Sequence, residues 1–346
     1  MNIIKRNFGS FKDKEVIEYS LDNGQDLEVK ILNLGCIIRE LNFKGKNRVL
    51  GYKNLEDYLN RKGNLGTVVG RVAGRISGGK ISIDGQDYEL DKNEGSTCLH
   101  GGSDGFARQV WDLVEEEIGV DFISLKFKYV SEDLEGGFPG QLTVYNKYTI
   151  NKDNELVVEY FGQTDKPTIV SLTNHSYFNL NDDLRQGVLD QYLYIDADKY
   201  ISLDEKSIPK TIKEVEGSPF DFRQERAIGE GMDLDHEDLA RTRGYDHPFI
   251  LKKNKEDEIV LRSRESGLEL AVETTEPTLV VYTSNGLREG MDLSQGEVTF
   301  PYQGICLETQ WYSDAINQDF LPKQILRPGE EYYSRTIYKF SLKDQL

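Results

Sequence analysis

The chain has 346 residues, 38% of them hydrophobic and 29% charged, enough apolar material to bury a sizeable core. Its formal net charge of −18 has the sign of phosphate backbones and anionic lipid headgroups, so nucleic acid and membrane surfaces are poor partners, whereas an uncharged ligand is indifferent to the field. Met1 to Glu15 lacks the apolar run of a signal peptide, and no stretch approaches the ~20 apolar residues of a membrane span. Three cysteines, Cys36, Cys98 and Cys306, are far apart and lack metal-ligand spacing, which suits a reducing, cytoplasmic setting.

In chain order the first signal is alternation. Leu27, Val29 and Ile31 sit at period two, the spacing of a half-buried strand. Asn54–Leu59 reads as a short helix. Gly70-Arg-Val-Ala-Gly-Arg-Ile76 then spaces Arg71 and Arg75 four apart among glycines, which favours irregular backbone open to a ligand; a surface ion pair is the other reading. No Gly-Lys-Ser/Thr follows, so this is not a phosphate loop. Ile81–Leu90 carries Asp84-Gly85 between alternating runs and predicts a two-residue hairpin, because both turn positions tolerate positive φ.

His100 ends Gly95-Ser-Thr-Cys-Leu-His100 before Gly101-Gly102, where the backbone can leave a strand sharply and approach a ligand. Ile123, Leu125, Phe127 and Tyr129 alternate again, and 19 tyrosines and 15 phenylalanines suit pleated surfaces. Val170–Asn179 is strand-like but interrupted by consecutive polar residues, among them Asn174 and His175; a site and a buried hydrogen-bonded pair both explain them. His236, which opens the short helical stretch to Arg241, lies in an acidic run and reads as solvated.

Gly244-Tyr-Asp-His-Pro-Phe249 offers Asp246, as an Asx-turn cap or a ligand contact, and His247 as a supporting residue. In Tyr302–Tyr312, period two puts Cys306, Glu308 and Gln310 on one face of a strand. A carboxylate among apolar neighbours is paired, edge-exposed or functional, and burial would raise its pKa towards that of a general base. With helical segments this short, a doubly wound fold lacks its crossover helices, so the prediction is an all-β, large antiparallel β-sandwich with a few short helices. No repeat or linker divides it, so residues 1–346 are expected to form one domain. His100 and His175 lack the local spacing of a metal site, so no metal is expected.

Taken in order, Gly70–Ile76, Leu99-His-Gly-Gly102, Thr173-Asn-His-Ser-Tyr-Phe-Asn-Leu180, Pro219-Phe-Asp-Phe-Arg223, Gly244–Phe249 and Leu307-Glu-Thr-Gln310 resemble the aldose 1-epimerase (galactose mutarotase) family. The resemblance runs from Asn33-Leu-Gly35 through Pro328-Gly-Glu330. It implies a galactose-mutarotase-like supersandwich and a cofactor-free isomerase that interconverts the α and β anomers of free aldoses such as galactose and glucose. By motif match, Glu308 is implied as general base and His175 as general acid, with Arg75, His100 and Asp246 holding the sugar. The implied partner is a small sugar, with the chain a monomer or weak homodimer. Tyr177, Phe178 or Trp311 could stack on the sugar's C–H face or serve the core. The chain departs from the family's common pattern at Gly74, often asparagine, at Ile316, often proline, and at Val280, which puts substrate preference in doubt.

Rival readings are a sugar sensor on the same fold, a glycosidase using Asp246 and Glu308, and an epimerase of phosphorylated hexoses, which would want a basic cluster beyond Arg71 and Arg75.

Overall fold

A computed structural model describes residues 1–60, 63–253 and 258–343. Alternation becomes pleat throughout. Leu27, Val29 and Ile31 all point into the interior from the strand Leu27–Leu32, the middle of a five-stranded sheet near the N-terminus. The predicted hairpin forms between Lys80–Ile83 and Gln86–Glu89, with φ of +52° at Asp84 and +82° at Gly85.

Two larger sheets dominate the rest. One has nine strands, in the spatial order 112–118, 122–131, 142–151, 155–164, 332–342, 268–274, 259–262, 192–195 and 226–227. The other has six, in the order 177–178, 305–310, 278–282, 246–250, 199–203 and 209–214. Their strand pairings are antiparallel. Leu125, Phe127 and Val144 of the first sheet share one apolar core with Leu279, Val281, Ile305 and Leu307 of the second and with Val29 and Ile31 of the N-terminal sheet. The fold is the all-β sandwich that the period-two pattern predicts.

Helix among the described residues is confined to Leu55–Leu59, Ile228–Gly231 and Glu237–Thr242, with a few 3₁₀ turns. His236 caps the last of these, its Nδ1 accepting from the Asp238 amide, and its ring lies 5.7 Å from that of Phe220. It is half-buried rather than the solvated residue expected from its acidic surroundings, because the cap turns the ring inward.

The six-stranded sheet positions the chemistry. Its core-facing residues, Leu279, Val281, Ile305, Leu307, Phe249 and His247, alternate with residues of the opposite face. Register then lines up two rows across neighbouring strands: Pro248, Val280 and Glu308 in one, and Asp246, Tyr282, Cys306 and Tyr177 in the other.

Candidate active site

Both rows border a cavity of about 580 Å³, within the range of small-molecule sites. Arg75, His100, His175, Asp246 and Glu308, which belong to five separate segments of the sequence, all line it. Gly74 and Val280 line it too, whereas Ile316 lies at a different, much smaller pocket.

His175 follows the short strand Thr173–Asn174 and precedes Tyr177–Phe178. Its backbone is fixed from both sides, its amide donating to the Thr67 carbonyl at 2.8 Å and its carbonyl accepting from the Gly66 amide at 2.9 Å. The neighbouring polar residues divide the two roles the sequence left open. Asn174 is structural, its Nδ2 donating to the Gly66 carbonyl and its Oδ1 accepting from the Ser176 amide. His175 faces the cavity. Its ring stacks on Tyr177 with centroids 5.0 Å apart and planes 20° apart.

Glu308 stands opposite, with Oε1 3.4 Å from His175 Nε2; the two residues are 3% and 4% exposed. Burial pushes the Glu308 carboxyl well above its usual range, with Asp246 adding to the rise and Arg75 opposing it. Burial pushes His175 down to about 4, against a smaller opposing contribution from its own backbone carbonyl. Each shift favours the uncharged form, a carboxylic acid beside a neutral imidazole. Moving that one acidic proton to the ring gives a carboxylate and an imidazolium with no change in proton count.

His100 is placed by backbone that few residues tolerate. It has φ of +52°, and a Cβ on the following Gly101 would sit 1.9 Å from the Gly70 carbonyl oxygen. Its amide donates to the Gly74 carbonyl, and its Nδ1 accepts from the Gly74 amide at 3.2 Å. The neutral ring therefore carries its proton on Nε2. Burial, then His175 and Arg75, hold its pKa well below the usual value, which keeps it neutral.

Arg75 is clamped by Glu94 through a bidentate pair of 2.6 and 3.1 Å, and its Nη1 lies 3.7 Å from Asp246 Oδ2. Asp246 is a strand residue rather than the Asx-turn cap that was one reading of its motif. Burial raises its pKa, Arg75 opposing and Glu94 adding.

Some sequence candidates lie elsewhere. Arg71 is neither a surface ion pair nor a cavity residue: it is buried, and its guanidinium donates to the Pro139 and Gly140 carbonyls at 2.9 Å each and to Ser131 Oγ at 2.5 Å. Carbonyls of the turn before the strand Leu142–Asn151 satisfy it where a carboxylate would have been expected. His247 points away from the cavity into an aromatic cluster, 4.8 Å from the Phe220 ring. Phe178 is a core residue, and the Trp311 indole donates to the Pro322 carbonyl away from the cavity.

The sequence reading missed Glu94, Tyr282, Ser313 and Arg288, all of which border the cavity. For Tyr282, period-two counting from Val280 was the available signal; the other three lie in segments without periodicity. At Gly74, with φ of +80°, a Cβ would come within 2.2 Å of Ser313 Oγ, which accepts from Gln310 Nε2 at 3.0 Å. Ser313 thus occupies the space an asparagine at position 74 would need.

The fold also revises the argument about metals. His100, His175 and Glu308 are far apart in sequence, yet each presents a ligand atom within 4.8 Å of the others. Sequence spacing is therefore no argument against a cation here. All three groups can also donate or accept protons, and His175 Nε2 and Glu308 Oε1 approach to 3.4 Å.

A model of the aldose 1-epimerase family matches residues 18–339. Galactose mutarotase of Rattus norvegicus is 40% identical over 324 residues, covering 91% of this chain and 92% of its own. Aldose 1-epimerase of Escherichia coli K12 is 36% identical, covering 85% of each chain. The crystal structure of galactose 1-epimerase from Lactobacillus acidophilus NCFM superposes with a TM-score of 0.89 at 28% identity over 99% of both chains. This sandwich, with these relatives, defines an isomerase. The chain belongs to the aldose 1-epimerase family.

Proposed function

We propose that the chain interconverts the α and β anomers of free aldohexoses such as galactose and glucose, with Glu308 as general base and His175 as general acid. The observation that carries this assignment is the 3.4 Å approach of Glu308 Oε1 and His175 Nε2 at one cavity. Anomers interchange through the open-chain aldehyde, so one group takes the proton of the C1 hydroxyl while another protonates the ring oxygen. In the carboxylate–imidazolium form, Glu308 removes the C1 hydroxyl proton as the bond from C1 to the ring oxygen breaks. His175 Nε2 gives its proton to that oxygen. The products are an aldehyde and a free hydroxyl, with a proton on Glu308 and none on Nε2. Rotation about the C1–C2 bond and the reverse transfers close the ring on the other face and restore the starting state. These transfers are balanced by the protein's own acid and base.

The other residues hold the sugar. His100 offers Nε2–H as a donor, Arg75 offers the part of its guanidinium that Glu94 leaves open, and Asp246 accepts from hydroxyls. Tyr177 and Val280 supply apolar wall for the C–H face. A cytoplasmic setting agrees with three free, buried cysteines, and no helix among the described residues is long and apolar enough to cross a membrane.

Polarimetry of freshly dissolved α-galactose tests the assignment. Glu308→Gln keeps the shape of the side chain and removes the base, so acceleration falls by about 10²–10⁴-fold. Wild-type acceleration in a folded E308Q variant would refute the base assignment.

A further inference from the structure

Cys306 lies two residues before Glu308 on the same strand and the same face, completely buried beneath the cavity. Its Sγ is 3.4 Å from His175 Nδ1, a normal separation for a hydrogen bond involving sulfur. One strand therefore touches both nitrogens of the same imidazole: Cys306 at Nδ1 and Glu308 at Nε2. Resting on the acid–base assignment above, we infer that Cys306 is a positioning residue whose sulfur accepts the Nδ1–H of His175, so that Nε2 alone exchanges protons with the sugar.

The chemistry requires this direction of bonding. After His175 protonates the ring oxygen, its ring is neutral and holds one proton. To receive a proton back when the sugar recloses, Nε2 must be the bare nitrogen, so the retained proton belongs on Nδ1. A thiol donating to Nδ1 would place the retained proton on Nε2 and block the return step. A thiol accepting from Nδ1–H selects the working tautomer.

The weakness of sulfur as an acceptor is useful here. A carboxylate at the same place would stabilise the imidazolium and make His175 reluctant to release its proton. Neutral sulfur orients the ring without adding that charge. Burial, with Glu308 and Asp246 nearby, raises the thiol's pKa well above its usual value, so it stays neutral. His100 is held in the opposite tautomer, since its Nδ1 accepts from the Gly74 amide. The two cavity histidines are thus assigned different duties by different partners: His100 keeps a permanent donor facing the sugar, and His175 keeps an exchangeable site.

Three variants and one spectroscopic measurement test the role. Cys306→Val preserves volume but cannot accept a hydrogen bond, Cys306→Ala removes the group, and Cys306→Ser restores an acceptor. The expected result is that C306V and C306A lose kcat by roughly tenfold with KM within about twofold, while C306S recovers most of the loss. The ¹⁵N shifts of His175, assigned among the four histidines with a His175→Gln control, should report protonated Nδ1 and bare Nε2 in the wild type and a mixture in C306V. Protonated Nε2 in the wild-type neutral ring overturns the inference. So does wild-type kcat in C306V, or equal losses in C306V and C306S with an unchanged tautomer, which would mean packing alone. Failure of the acid assignment itself reads differently: H175Q would retain kcat, whatever the ¹⁵N shifts report.

Discussion

His175 and His247 invite comparison because their surroundings act on them alike and their neighbours do not. Both are buried, and burial pushes both down, to about 4 and about 3. His247 faces the sandwich core, with its Nδ1 accepting from the Asp246 amide and its ring against Phe220. His175 faces a cavity, with a carboxylate 3.4 Å from one nitrogen and a sulfur 3.4 Å from the other. Asp246 and His247 make the same contrast within two residues, since adjacent positions on a strand point to opposite faces. A displaced pKa therefore records desolvation; a function needs a partner and access to substrate as well.

The strongest test of this comparison is a pair of matched substitutions. His175→Gln should lower the mutarotation rate constant by about 10²–10⁴-fold, and His247→Gln should leave it within about twofold while lowering stability by about 1–3 kcal/mol. Polarimetry and urea unfolding measure the two axes. A large rate loss in H247Q would erase the distinction between the faces.

Acid stability sharpens the comparison from the other side. In the unfolded chain His247 takes up a proton near pH 6.5, whereas in the folded chain it stays neutral down to about 3. The unfolded state binds more protons across that window, so stability declines as pH falls from about 6.5 towards 3, by up to about 1.4 kcal/mol per pH unit for this group. His175 adds in the same direction between about 6.5 and 4. Glu308 opposes it, because a raised carboxyl pKa gives stability that is present below about 4.5 and lost as pH rises. The site pair thus partly cancels and His247 does not. Urea midpoints between pH 4 and 6.5 should fall less steeply in H247Q than in wild type; identical slopes would remove His247 from the account.

A smaller effect is expected at the cavity wall. Gly74→Asn should raise KM several-fold because its Cβ meets Ser313 Oγ, and adding Ser313→Gly should recover much of that loss. No recovery in the double variant would mean the two positions are uncoupled. The smallest expected change is none. Dialysis against EDTA should leave the mutarotation rate as it was, since a proton pair suffices for the proposed steps; a loss reversed by added Zn²⁺ would instead make His100, His175 and Glu308 a metal centre.

Period-two alternation by itself specified strands and the shared face of Cys306, Glu308 and Gln310, because side-chain direction in a strand follows from parity and needs no distant contact, and Asp84-Gly85 between two alternating runs specified the hairpin. The ordered motifs named Arg75, His100, His175, Asp246 and Glu308 by resemblance, and the cavity gathers all five. Arg71 shows where local reading ends: it shares a glycine-rich motif with Arg75, yet its guanidinium lies among backbone carbonyls more than sixty positions away in sequence. Glu94, Ser313 and the contact of Cys306 with His175 were also beyond it, as was the convergence of His100, His175 and Glu308. Those are matters of which strands become neighbours and in what register, so only the tertiary structure could decide them.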